Sequence, residues 1–314
     1  MEPRDVKRVV VIGAGIMGHS IAQVFSQYGI EARLVDSKRE QLDRAGRLIK
    51  LNLNTLAGHG RISPSDIPAI LDRIRFATDP ADACKGVDMA VEAVSEVPAV
   101  KKSVFDLLDK HCPPEAVIAS NTSSLDVFSI AEIKKPERLV TTHWFMPPHI
   151  IPLVEIAPGP LTSPETISLA VGLMKRLGKQ PIVMKKFVPG YIVNRMQQAI
   201  FMVIMDLLAK DAASKEDIDL AVKTSLGIRL PVVGVVQNLD FNGLNLVYDM
   251  LKAGGLNPPP FIAEAVDKGH FGASTSKGLY DYGGRSEEEL LKKRDELYLK
   301  MLDHLEAIKA FKPI

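Results

Sequence analysis

The chain has little cysteine. Cys84 and Cys112 are the only two in 314 residues. Neither stands in a metal-binding or redox spacing, so the sequence offers no disulfide scaffold, and free thiols in a reducing compartment are expected. Charge of one sign is also lacking: 39 basic residues face 38 acidic ones, a net charge of +1. That balance gives no electrostatic case for nucleic acid or a membrane surface as a partner. No charge-free apolar stretch is long enough to span a bilayer. The opening MEPRDVKR is charged and followed by too short an apolar run for a signal peptide, so cytoplasm or an organelle matrix is the expected location. What is present is 46% hydrophobic and 25% charged residues, an ordinary globular mix with material for one or two domains and a large core.

Arg8 to Ile12 is a short β-branched apolar run of the kind found in central parallel strands. It enters Gly13-Ala-Gly15-Ile16-Met17-Gly18, then a helix from Ser20 to about Tyr28, then a strand Ala32–Val35 ending on Asp36. Gly13 permits the tight turn, Gly15 lets a pyrophosphate approach the backbone, and Gly18 lets helix and strand pack closely. The helix N-terminus supplies N–H groups and a positive dipole end. Asp36 stands where a carboxylate bonds the adenosine ribose and repels a 2′-phosphate, so NAD is expected over NADP. Lys38 and Arg39 read as the solvated start of the next helix.

Further along, helices over about 40–57 and after Ser63-Pro64 precede strands near Ile74–Ala77 and Val87–Val91. Ala116–Ala119 enters Ser120-Asn121-Thr122-Ser123-Ser124. Loops at carboxyl ends of parallel strands bind ligands in such folds, so Ser123 has a functional reading beside the plain one of a helix N-cap. The strand Leu139–Thr142 ends on His143, and a proline-interrupted loop leads to a second strand, Leu153–Ile156, carrying Glu155. A carboxylate that accepts one imidazole N–H frees the other nitrogen to take a proton. The plain alternative is a core histidine and an edge-strand charge. A helix over Pro164–Leu177 and a strand over Pro181–Met184 close this region. From Tyr191 strand signals stop, with helices expected over Tyr191–Lys210, Lys215–Lys223, Val233–Ala253, Phe261–Lys268 and Ser286–Lys309. Tyr191–Lys210 is apolar almost all round and is expected to be buried on several sides. The expected architecture is α/β: an N-terminal Rossmann-type doubly wound domain over 1–187 and a C-terminal all-helical domain over 188–314.

Several segments together resemble the short-chain L-3-hydroxyacyl-CoA dehydrogenase family: VIGAGIMG (11–18), VEAVSE with its following lysine (91–101), ASNTSSL (119–125), HWFMPPHIIPLVE (143–155), VPGYIVNR (188–195), SKEDIDLAV (214–222) and KGLYDY (277–282). The resemblance implies NAD-dependent interconversion of a 3-hydroxyacyl thioester and its 3-oxo form. It implies His143 and Glu155 as the catalytic pair, with Ser123 and Asn194 in the active site. It also implies Ile16, Met17, Glu96, Lys101 and Asn121 beside the glycines and Asp36 at the cofactor. No metal is implied, and the family's habit implies a homodimer with substrate between domains. Three departures stand out. Met146 replaces the family's usual asparagine, and the glycine-rich end motif is degraded at 272–278. Pro147–Pro152 looks closer to relatives that oxidise free hydroxy acids such as gulonate, carnitine or pyridine carboxylates. The leading expectation is a 3-hydroxyacyl-CoA dehydrogenase acting on a short or medium chain. The rivals are an enzyme for a small free 3-hydroxy acid and a non-catalytic NAD-binding protein.

Overall fold

The structure is a computed structural model that describes residues 2–312. Strand β1 (Arg8–Ile12) shows why its run is apolar throughout. Val9 and Val11 enter one core while Val10 and Ile12 enter another, so both faces of the strand are covered. Around it the chain winds through α1 (Gly18–Gln27), β2 (Glu31–Val35), α2 (Arg39–Gly58), α3 (Ile67–Asp72), β3 (Ile74–Ala77) and α4 (Pro80–Ala83). It returns through β4 (Met89–Glu92), α5 (Pro98–His111), β5 (Val117–Ser120), α6 (Val127–Ile130) and β6 (Leu139–Trp144). The region ends with β7 (Leu153–Pro158), α7 (Pro164–Arg176) and β8 (Gln180–Val183). The sheet order is β3-β2-β1-β4-β5-β6-β7-β8. Strands β1 to β6 pair in parallel, β7 runs antiparallel to β6, and β8 is parallel to β7. Because the chain moves outward from β1 to β3 and resumes at β4 on the other side of β1, the carboxyl ends of β1 and β4 flank the switch point where such sheets bind ligands. The doubly wound expectation holds.

Local chemistry sets the ends. Ser163 caps α7 by accepting from Thr166 N, with Pro164 in the first turn. Ser63 accepts from Ser65 N and opens a single 3-10 turn ahead of the short α3. The two cysteines are free and buried, and their thiols meet as neighbours in the second core.

The chain divides into two compact units, one up to Ala199 and one from Ile200, a division that falls inside α8 (Val193–Ala209). The second unit is helical as expected, with α9 (Lys215–Ala221), a π-helical turn over Val222–Leu226, and α10 (Gly227–Val233). Then come α11 (Gln237–Asn242), α12 (Leu244–Ala253), α13 (Pro260–Asp267) and α14 (Glu287–Ala307). Within it the buried Asp240 carboxylate accepts from Leu279 N, Tyr280 N and Tyr282 Oη, each at 2.9 Å. Three expectations need correction. The single helix over Val233–Ala253 is broken by Gly234 and Gly243, whose φ of +69° and +89° leave the helical region. The helix expected from Tyr191 starts at Val193, since Tyr191 has φ +49°. Nor is it buried on several sides, for none of its residues is buried: the all-round apolar pattern calls for cover that the described residues do not supply.

Candidate active site

The glycine turn separates two kinds of requirement. A Cβ on Gly13, which has φ +104°, stands 2.6 Å from Ala93 O, and one on Gly18 stands 1.7 Å from Gly13 O. The chain's own packing demands these two. Gly15 meets nothing within 4 Å, so the backbone there is open enough for a ligand to approach closely. Ile16 is exposed, and Met17 begins α1 without a side-chain cap, leaving helix N–H groups for a ligand. The Asp36 carboxylate accepts from Ala14 N and Lys38 N, both at 3.0 Å. It therefore ties the end of β2 to the glycine turn. This open backbone beside a half-buried carboxylate fits NAD.

A polar row crosses the sheet nearby. Glu92, Ser120 and Thr141 stand opposite one another on β4, β5 and β6 and so share a face. Glu92 is fully buried and accepts from Ser120 Oγ (2.5 Å), Val94 N (2.9 Å) and Lys101 Nζ (2.8 and 2.9 Å). Lys101 is only 1% exposed and also reaches Glu96 at 3.1 Å. It binds two carboxylates together and does not line open space. Glu96 Oε1 accepts from Thr122 Oγ1 (2.5 Å), Ser123 N (2.9 Å), Ser124 N (2.9 Å) and Leu125 N (3.3 Å). Burial alone raises its pKa, but the Thr122 hydroxyl, the Lys101 ammonium and the backbone donors outweigh that and hold it at about 2. The serine loop is thus wrapped on an ionised carboxylate. Ser123 is exposed, and its hydroxyl makes no hydrogen bond among the described residues. It is not a helix cap, because α6 is capped by Asp126, which accepts from Phe128 N. Asn121 Oδ1 accepts from Trp144 N at 2.9 Å, fastening this loop to β6.

His143 and Glu155 are directly opposed across the antiparallel β6–β7 pair. Both are buried, and Nδ1 lies 2.9 Å from Glu155 Oε2. β7 is an interior strand, so the edge-charge alternative for Glu155 is excluded. Its other oxygen, Oε1, accepts from Ile192 N and Val193 N at 3.1 Å each. One carboxylate thereby orients the imidazole and caps α8, whose positive dipole end favours the charge. Asn194 lies half-buried in the first turn of α8. The Tyr191 ring stacks on the imidazole, with centroids 4.4 Å apart and 15° between planes, and Phe145 meets it edge-on at 4.6 Å.

The loop after β6 is pinned to α1 and to the residue before β8. Ser20 Oγ bonds His149 N at 3.1 Å and its ring Nδ1 at 2.8 Å. Lys179 Nζ donates to Pro148 O and to Ile151 O, the latter at 2.9 Å, and burial pushes its pKa down to about 8. Met146, just ahead of these anchors, is 65% exposed.

Sequence reasoning passed over Glu92, Tyr191 and Phe145. A lone carboxylate closing the strand Met89-Ala-Val-Glu92 was a usable signal for the first. Nothing local marks the stacking of Tyr191. Among the described residues no group of three or more His, Cys, Asp or Glu is placed to hold a metal ion, and no helix is long and apolar enough to cross a membrane.

Comparison with known proteins places the chain in a family. Residues 8–187 match the model of the 3-hydroxyacyl-CoA dehydrogenase NAD binding domain, and 190–282 match that of its C-terminal domain. The mitochondrial hydroxyacyl-coenzyme A dehydrogenase of Homo sapiens is 35% identical over 291 residues, covering 88% of this chain and 91% of that protein. The 5-formyl-3-hydroxy-2-methylpyridine 4-carboxylate 5-dehydrogenase of Mesorhizobium japonicum is 30% identical over 284 residues, with the same two coverages of 88% and 91%. A crystal structure of a 3-hydroxyacyl-CoA dehydrogenase from Archaeoglobus fulgidus superposes with a TM-score of 0.79 at 30% identity, covering 95% of this chain and 99% of that one. The chain belongs to the 3-hydroxyacyl-CoA dehydrogenase family and is an NAD-dependent oxidoreductase acting on CH–OH groups.

Proposed function

We propose that this chain oxidises the 3-hydroxyl of an L-3-hydroxyacyl-CoA to the 3-oxo form, with His143 as the base. The observation that carries the reading is the buried His143–Glu155 pair, 2.9 Å apart. A carboxylate at Nδ1 selects the tautomer that donates there, which leaves Nε2 as the acceptor for the substrate hydroxyl proton. Glu155 then stabilises the imidazolium while its second oxygen stays on the α8 backbone. Ser123 and Asn194 bond and orient the substrate oxygen, a role open to them because neither side chain is hydrogen-bonded among the described residues. Gly13, Gly15, Ile16, Met17, Gly18, Asp36 and Asn121 hold the cofactor, and the Glu96–Lys101 pair shapes the loop beside it. NAD, when bound, supplies the hydride acceptor. Active protein is a homodimer formed through the helical unit.

A second reading, oxidation of a small free hydroxy acid, is favoured by the Pro147–Pro152 loop that Ser20 and Lys179 pin in place. Likeness to a pyridine-carboxylate dehydrogenase points the same way. A panel of 3-hydroxyacyl-CoAs and free hydroxy acids, read by NADH absorbance, decides between them. On the best substrate, His143→Gln is expected to lower kcat by roughly 10²–10⁴-fold with NAD affinity little changed. A variant with wild-type kcat removes the proposed base.

A further inference from the structure

We infer that Tyr191 is a positioning residue for His143: its ring fixes the plane in which the imidazole presents Nε2 to the substrate. This rests on the reading of His143 as the base. One bond to Glu155 anchors Nδ1 but leaves the imidazole plane free to swing about that contact. Tyr191 removes the freedom by lying on the ring face, 4.4 Å away and within 15° of parallel. It is itself braced, for Phe187 packs edge-on against it at 5.6 Å and Phe128 edge-on against Phe187 at 5.8 Å. Phe145 closes the column on the imidazole.

Two further features make a purely space-filling role a poor account of Tyr191. Its φ of +49° lies in the left-handed region that residues with a Cβ seldom occupy. It is 1% exposed, and among the described residues its hydroxyl makes only a loose approach to the Thr141 hydroxyl, which itself donates to Ala157 O. Backbone strain and a poorly paired buried hydroxyl are together unfavourable for stability, and they occur on the residue whose ring touches the base. The backbone that carries the strain is the turn whose next two N–H groups bind Glu155. The turn therefore sets both partners of His143 at once, the carboxylate at Nδ1 and the ring on its face.

The test compares Y191F, Y191L and H143Q, each with wild type. The readouts are kcat and KM on the best substrate and the downfield proton NMR resonance of the imidazole Nδ1–H, assigned by its loss in H143Q. Y191F keeps the stack, so kcat within about twofold of wild type and an unchanged resonance are expected. Y191L is expected to lower kcat roughly 10–100-fold with KM little moved, the effect of a misplaced reacting group, and to broaden the resonance. If Y191L does not fold, Y191M gives the same comparison with a flexible side chain. A non-aromatic variant with wild-type kcat and a sharp resonance overturns the inference, as does a large loss in Y191F, which would assign the role to the hydroxyl. If H143Q instead retains activity, the failure lies with the base and not with the ring.

Discussion

Glu155 joins two parts of the site, since its two oxygens face different demands. Oε1 receives two backbone N–H groups of the turn before α8, and Oε2 receives His143 Nδ1. Glutamine at this position has only one acceptor. The arrangement that leaves fewest donors unpaired turns the amide oxygen to Ile192 N and Val193 N, so the amide N–H₂ faces the imidazole. Nδ1 must then accept, the ring proton moves to Nε2, and the base is lost although the side chain keeps its shape. Glu155→Gln is accordingly expected to lower kcat to within about tenfold of the His143→Gln value while Tm falls only a few degrees, as for a loss of about 1 kcal/mol. Steady-state rates and thermal melts of the two variants check this. A variant that keeps the wild-type rate would show that the tautomer is set elsewhere.

At the scale of elements, the glycine turn yields a prediction because its three glycines differ in what surrounds them. Gly18→Ala drives a Cβ to 1.7 Å from Gly13 O, so the turn must shift, and both stability and NAD binding are expected to suffer. Gly15→Ala meets nothing of the chain. Its stability is expected within about 0.5 kcal/mol of wild type, while NAD affinity drops by roughly tenfold or more, a loss of about 1.4 kcal/mol. Titration calorimetry beside thermal melts separates the two. This turn was legible because its signals are local: an apolar strand, spaced glycines, a helix and an acid follow one another from Arg8 to Asp36. His143 and Glu155 were legible as residues, and their direct pairing follows from the β6–β7 register. What the sequence concealed depends on contacts between distant segments. The Glu155 cap on α8 joins a strand to a helix that begins 38 positions later. The break at Gly243 falls within a continuous helical pattern, where the residue alone does not announce its positive φ. The resemblance puts Lys101 at the cofactor, and only the packing of β4 beside α5 shows that Glu92 buries it.

For the whole molecule, the exposed apolar face of α8 is the feature that a lone chain leaves unexplained. Phe201, Met205 and Leu208 follow the i, i+4, i+7 stripe of one helix face, exposed by 55%, 42% and 40%, and Ile200, Met202 and Val203 widen it. Apolar area gains about 25 cal/mol per Å² on leaving water, and stable interfaces bury about 800 Å² per partner. A patch of this kind on a soluble monomer invites association. A second copy is the partner that every molecule meets at equal concentration, and a two-fold contact would let the same stripe cover itself. Sedimentation is therefore expected to give twice the 34.4 kDa chain mass over a wide concentration range. Phe201→Glu would bury a carboxylate in that contact without a partner, at a cost of several kcal/mol. Each 1.4 kcal/mol weakens association tenfold, so the variant should dissociate to monomers at micromolar concentration while β1 to β8 keep their fold. A wild-type chain that sediments as a monomer at every concentration would refute the dimer and leave this face in need of a different partner.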